Sequence, residues 1–364
     1  MKTLSIHSVR QALLLAGALA AVAMPGQGQD EPGKNGWVEP LIGTLSQITL
    51  AAEHGTLFYG YDRLTYPGEP VDLTARVRWV RTMKDVPGVT IEFRQGDNVL
   101  GRAKTDEDGV ARLEWKPPKA GDYEFTADIY AVPDPDYNEM LQVTPAPLVI
   151  SARPKQTRFV VIDLDRTVVD ASFFRVIVGG ARSMSGAASA VAELARTREV
   201  IYLTHRPDVL MVKSRNWLKQ EGFPRGTLMV SRLSQAFGSS GKFKAQQIRT
   251  LRMMFPGVEI GIGDKISDAE AYVANGMTAY LIPHYDRDDE EDCRELAEKI
   301  NKINKDIQVV DTWEQVLDGI QRGRKFPAGT YARNLRKRAD QLKAEEKRKH
   351  DEEHRRKHDD DDDD

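Results

Sequence analysis

Apolar and polar residues alternate with a period of two over much of the stretch from about Leu57 to Leu148. Val71, Leu73, Ala75, Val77 and Trp79 share one face, and Val89, Ile91 and Phe93 repeat the pattern before the turn sequence QGDN. Ala111, Leu113 and Trp115 come after DEDG, and Tyr123, Phe125, Ala127 and Ile129 come after KAGD. Alternate side chains of a strand point to opposite faces. Several short half-buried strands joined by Gly-, Pro- and Asp-containing turns therefore predict a small all-β sandwich, immunoglobulin-like in type, over residues 57–150. No chemical constellation stands out in this stretch, and its expected role is that of a spacer or packing domain.

The pattern changes after TPAPLVISARPKQTR, which reads as a linker. Short apolar runs at Arg158–Ile162, Val200–Leu203, Thr227–Val230, Glu259–Ile262 and Thr278–Ile282 now alternate with helical segments. The helices are expected at Ser185–Arg196, Pro207–Glu221, Phe243–Met254 and Asp268–Asn275, with closing elements near Arg294–Ile303 and Thr312–Gln321. This alternation predicts a parallel sheet covered by helices on both faces, an α/β domain over residues 151–325. Residues 326–364 are dense in charge, end in Asp359 to Asp364, and are expected to be a disordered tail. Its basic stretch has a helical pattern, with Tyr331, Leu335 and Leu342 roughly on one face, which gives it a possible contact with an anionic bilayer.

Composition narrows the class. Hydrophobic residues make up 40% of the 364-residue chain and charged residues 29%, as expected of a soluble globular protein. A net charge of −3 argues against a nucleic-acid partner. Lys2 and Arg10 flank an apolar run from Ala12 to Ala23 that ends in Ala21-Val22-Ala23. The run is shorter than the roughly 20 residues of a membrane span and predicts a secretory signal within residues 1–29, a linker over 30–56, and a periplasmic or secreted location. Cys293 is the single cysteine, which excludes an internal disulfide and a cysteine-based zinc site.

Ligands of an open α/β sheet bind beyond the carboxyl ends of its strands. Those positions hold Asp163-Leu164-Asp165-Arg166-Thr167, then Thr204-His205-Arg206, then Gly263-Asp264 with Asp268 four residues on. Lys242 and Lys244 lie near a helix start between the last two. In this order the residues resemble the four motifs of the haloacid dehalogenase superfamily of phosphatases, over about Arg158 to Ile282. The sequences SMSG, LTHRP, WLKQEGFPRGTLMV, FKAQQIRTLRMMFP and IGIGDKISDAEAY are most similar to the lipin-type domain and to the fungal actin-patch phosphatidate phosphatases with their bacterial counterparts. Those relatives also carry a β-rich segment ahead of the catalytic domain. Arg166 departs from the Gly or Asp usual in that loop, and His205 from a small residue. The resemblance implies a Rossmann-like haloacid dehalogenase fold.

Phosphate-ester chemistry assigns the roles. Attack on a phosphoryl group needs a nucleophile in line, a cation against its negative oxygens and a proton for the leaving oxygen. Asp163 is the expected nucleophile and Asp165 the acid and base. Asp163, the Asp165 carbonyl and Asp264 offer hard oxygens suited to Mg²⁺, with Asp268 holding a metal-bound water or orienting the lysine. Thr204 offers a hydroxyl to a phosphoryl oxygen, and the backbone N–H groups from Leu164 to Thr167 complete the cradle. The family register favours Lys244 over Lys242 as the neutralising cation. His205 either packs or touches substrate, and Arg206 either contacts a phosphate or head group or makes a structural ion pair.

Superfamily members usually close the site with a cap domain, and the spacing from Thr167 to Thr204 and from Thr204 to Lys244 leaves no room for one. A capless site suits a phosphate presented on a surface, such as a phospholipid head group. Phe173 and Phe174 in the flap region are candidates for a peripheral membrane contact, or for ordinary core packing. The expectation is a Mg²⁺-dependent phosphatase acting on phosphatidate. The alternatives are a phosphatase of another phosphomonoester or phosphoprotein, and a non-catalytic phospholipid-binding module. Residues Arg158 to Gln321 alone are expected to hydrolyse a small activated ester.

Overall fold

In the computed structural model of the chain, residues 52–80, 82–169, 182–235 and 238–361 are described, with side chains to 352. The signal-like segment, the flap residues Phe173 to Gly180 and the last three aspartates lie outside them. Two compact units divide the chain, Met1–Val258 and Glu259–Asp364.

In the first unit, the alternating stretches become strands of two sheets. β1 (Thr56–Tyr61), β3 (Val71–Trp79) and β6 (Val110–Trp115) form an antiparallel sheet in the order β1-β3-β6. The second sheet runs β2-β8-β7-β4-β5, with β2 at Arg63–Thr65, β4 at Thr90–Gln95, β5 at Asn98–Lys104, β7 at Gly121–Ala131 and β8 at Ala146–Ala152. Leu73, Ala75, Val77 and Ala111 of one sheet and Ile91, Phe93, Phe125 and Ala127 of the other enter a single apolar core, which is where period-two alternation directs them. One expectation is overturned here. Ala146–Ala152, read as linker, is a strand inside the five-stranded sheet, with Leu148 and Ile150 fully buried.

The same unit continues into parallel strands. β9 (Phe159–Ile162), β10 (Glu199–Pro207) and β11 (Thr227–Ser231) are ordered β11-β10-β9, with Val160 beside Val200 and Ile201 beside Thr227. All four residues of β9 are buried, as a strand covered on both faces requires. α1 (Ala187–Leu194) and α2 (Met211–Gln220) make the crossovers, and α3 (Ser240–Met254) follows β11. β10 runs further than its apolar pattern predicts, so Thr204, His205, Arg206 and Pro207 are still extended. The expected helix at Pro207 instead opens as a short 3-10 turn at Asp208–Leu210.

In the second unit, β12 (Val258–Gly263, starting one residue before it), β13 (Thr278–Leu281) and β14 (Gln308–Val309) are parallel in that order. α4 (Ile266–Ala274), α5 (Glu290–Asn301) and α6 (Trp313–Arg322) alternate with them. The ring of the fully buried Tyr272 on α4 lies so close to β12 that a Cβ on Gly261 would fall 2.2 Å from it. Gly261→Ala is therefore expected to lower stability by about 3 kcal/mol, the upper range for overpacking, and to lift α4 with its Asp268. Chemical denaturation measures this, and a loss below about 1 kcal/mol would show that the helix yields without strain.

The tail expectation is corrected as well. Residues Ala328–Asp361 form one helix, α7. Ala328, Ala332, Leu335 and Ala339 recur at helical spacing and are buried, and α7 packs against α5. Arg294 on α5 reaches Asp340 at 2.9 Å, and Arg338 reaches Asp288 at 2.8 Å. A narrow stripe of small apolar residues suffices because a partner helix covers it. Burial on α5 also pushes the Cys293 thiol up, away from nucleophilic use.

Candidate active site

The apolar strand β9 delivers Asp163 to the sheet's carboxyl edge, where its side chain is only 5% exposed. Lys244 Nζ lies 2.8 Å from Asp163 Oδ1, and the lysine side chain is 1% exposed. α3 explains the choice between the two lysines. Its N-cap Ser239 accepts the Lys242 N–H at 3.4 Å, and its inner face carries Phe243, Lys244, Ile248 and Leu251. Lys242 is exposed.

The loop after Asp163 turns tightly around one carbonyl. Leu164 O accepts the N–H groups of Thr167 at 3.3 Å, of Val168 at 3.1 Å and of Val169 at 3.1 Å. Arg166 sits at φ 56°, in the left-handed region. A residue with a Cβ is strained there by roughly 1 kcal/mol. The side chains of Leu164 and Thr167 are buried, so Leu164 can meet a ligand only through its backbone.

β10 supplies the second group. Thr204 Oγ1 accepts the Arg206 N–H at 3.2 Å. The Ser231 hydroxyl, on β11, lies 2.9 Å from the His205 carbonyl and 3.2 Å from that of Arg206, so the strand end is pinned to its neighbour. His205 Nε2 is 3.1 Å from the Gln235 carbonyl, a contact that requires the proton on that nitrogen, and its ring packs on Phe243 at 5.3 Å. The ring thus has a packing role and is not placed as a base.

Arg206 is directed at a carboxylate. Its Nε lies 3.1 Å from each oxygen of Asp165, Nη2 is 2.6 Å from Oδ1, and Nη1 donates to Ser214 Oγ at 3.0 Å. With a side chain 1% exposed, this guanidinium makes the ion pair and not an open phosphate contact. The fork is the strong geometry for an Arg–carboxylate pair.

In the second unit, β12 ends at Gly263 and Asp264 follows, half-buried. Asp268 lies in the first turn of α4 and is fully buried. A Cβ on Gly263 would stand 3.3 Å from the Asp268 Cβ and 3.5 Å from its Oδ2, so the glycine makes room for the carboxylate beside the strand end.

Hard oxygens are the ligands Mg²⁺ takes, and Asp163 in the first unit and Asp264 and Asp268 in the second each offer them. The residue types fit that ion. The Asp165 side chain is held by Arg206. The sequence reading missed Asp208, Ser214 and Ser231. A buried Asp just after Pro207 was the one available signal, and the two serines carried none.

Residues 160–282, which hold every one of these acids and Lys244, match the family model for the PITM 1-3 LNS2 domain. No curated protein matches the chain. Among solved structures, a D,D-heptose 1.7-bisphosphate phosphatase from B. bronchiseptica, complexed with magnesium and phosphate, is similar at 15% identity, covering 46% of this chain and 100% of that one with a TM-score of 0.35. The haloacid dehalogenase domain of the effector Lem4 from Legionella pneumophila is similar at 10% identity, covering 46% and 95% with a TM-score of 0.29. The segment 160–282, in which parallel strands alternate with helices, is similar to the LNS2 domain of the PITM 1-3 proteins.

Proposed function

We propose that the chain is an exported Mg²⁺-dependent phosphatase that cleaves a phosphomonoester through an aspartyl-phosphate, with phosphatidate as substrate. The observation that carries the reading is Asp163, at the end of β9, held by Lys244 Nζ at 2.8 Å. Asp163, Asp264 and Asp268 would hold the metal, which would neutralise phosphoryl oxygens.

An Asp163 oxygen attacks phosphorus, forming the O–P bond as the ester P–O bond breaks. Lys244 keeps that carboxylate in place and offsets the charge the phosphoryl group brings. Asp165 gives a proton to the leaving alkoxide and then takes one from the water that hydrolyses the acyl-phosphate. Both Asp165 oxygens are engaged by Arg206, so each proton transfer requires the fork to open on one of them. Thr204 and the loop N–H groups receive the phosphoryl oxygens.

The lipid substrate is supported by the lipin-type motifs and by the lack of a cap domain between β9 and β11 among the described residues. Export is supported by the N-terminal pattern alone. No helix among the described residues is long and apolar enough to cross a membrane.

Phosphate release from phosphatidate vesicles, compared with soluble phosphate esters, tests the reading. Release from vesicles that stops with EDTA and returns with Mg²⁺ is the expected result. Release from soluble esters only would move the substrate to another phosphomonoester. Tight vesicle binding without release would make the chain a phospholipid-binding module.

A further inference from the structure

The strand end that carries Thr204 and Arg206 is anchored from the β-sheet layer. Asp208 follows Arg206 by two residues and is 0% exposed. Its Oδ1 accepts the Leu233 N–H at 3.2 Å. Its Oδ2 accepts the Tyr61 hydroxyl at 2.6 Å and Arg76 Nη1 at 3.1 Å. Tyr61 ends β1 and Arg76 lies in β3. Arg76 also forks onto Asp85 with two contacts of 3.0 Å, and Arg78 reaches the same carboxylate at 2.6 Å.

Two acids and two guanidiniums thus close a charge-balanced cluster. Burial, and then the nearby Asp208, push the Tyr61 phenol above its usual range, so it remains a donor. Leu57 and Tyr59 of β1 pack with Val209, Leu210 and Leu233 around it. Buried ion clusters stabilise a fold no better than well-packed apolar residues do. Stability alone therefore gives little reason for one at this point.

We propose that Tyr61, Arg76 and Asp208 are positioning residues for the catalytic strand end: by fixing the turn after β10 they hold Arg206 on Asp165. The meaning of Asp165 in this inference rests on the phosphatase reading, whereas the coupling rests on geometry. The path is short. Asp208 is tied to β1 and β3, Ser231 ties the Arg206 carbonyl to β11, Ser214 holds one Arg206 nitrogen at 3.0 Å, and the other two reach Asp165. A displacement of about 1 Å in a catalytic group costs on the order of a hundredfold in rate. The β-sheet layer is then a working part of the site and not a spacer.

The test uses the full chain with Tyr61→Phe, Arg206→Lys and both together. Tyr61→Phe removes one donor at nearly constant volume and leaves Asp208 its Arg76 and Leu233 partners, so the fold should persist, as a thermal melt will check. Hydrogen–deuterium exchange of the backbone over residues 204–210 should quicken at least tenfold in Tyr61→Phe, while β13 keeps its rate. For Mg²⁺-dependent hydrolysis of p-nitrophenyl phosphate, kcat should fall about tenfold with KM within twofold, because positioning acts on the transition state. The double variant should be little slower than Arg206→Lys, since both changes act through one fork. Unchanged exchange over 204–210 overturns the coupling. An active wild type with unchanged kcat in Tyr61→Phe, or losses that multiply in the double variant, overturns the positioning role. A wild type that hydrolyses no ester sinks the phosphatase reading instead, and the exchange result still decides the coupling.

Discussion

Asp163→Asn should leave less than about one ten-thousandth of the wild-type phosphate release, the scale of loss when a catalytic nucleophile is removed. An amide nitrogen or oxygen is a poor nucleophile toward phosphorus, and Asp163 is the carboxylate placed 2.8 Å from Lys244 Nζ. The substitution also removes one charge partner of a buried ammonium, which lowers stability. Circular dichroism and a melt must therefore accompany the assay, and Lys244→Met, which removes the charge, serves as the partner variant. Asp165→Asn should behave differently: an activated ester can still phosphorylate Asp163, so phospho-enzyme should accumulate and be visible by intact mass. A folded Asp163→Asn protein with near-normal, metal-dependent turnover would falsify the mechanism.

Deleting the β-sheet layer should abolish folding and not merely trim activity. This reverses the sequence-based expectation that the α/β segment alone hydrolyses a small ester. A fragment from Arg158 to Asp364, which keeps α7, is the clean comparison. It loses Tyr61 and Arg76, leaving the fully buried Asp208 with only the Leu233 N–H. Arg215 on α2 loses Asp62 at 2.9 Å and the carbonyls of Gly60 and Pro147. Glu199 loses Arg153 at 2.9 Å, and Met254 loses the Tyr66 hydroxyl on its carbonyl. Removing β1 also uncovers Val209, Leu210 and Leu233, each worth about 1.5–3 kcal/mol when fully buried, against a total stability of about 5–15 kcal/mol for a typical domain. The fragment should be insoluble or melt without a cooperative transition. A soluble, cooperative and active fragment would show that the α/β segment closes its own core.

Local period carried much of the architecture. Val71 to Trp79 and Tyr123 to Ile129 alternate strictly enough to predict strands, and both form one; β7 alternates in burial as well, whereas β3 is covered on both faces from Leu73 to Arg78. The apolar run ending at Ile162 could only be a covered strand, so the acids after it had to lie at a sheet edge. Asp163 and Asp264 were therefore readable as residues that follow a strand, whereas Thr204 lies inside β10 and Asp268 in the first turn of α4. Pattern failed where a neighbour distant in the chain supplies the missing face. Ala146–Ala152 looks like linker between prolines until β2 and β7 pair on either side of it. The charged tail looks unable to bury anything until α5 covers Ala332 and Leu335.

The same reason separates the two lysines and the two uses of Arg206. Residue type and spacing allow Lys242 or Lys244, the family register favours Lys244, and the inward face of α3 brings it to Asp163. Arg206 is equally suited by type to a phosphate or a carboxylate, and its partner Asp165 stands 41 positions away. Tyr61 and Asp208 are 147 positions apart, with nothing local in either to announce the other. Periodicity acts over a few residues because it reflects which side of one strand or helix meets water. The choice of partner depends on how strands stack and which helix covers them, so it is settled only when the whole sheet is assembled.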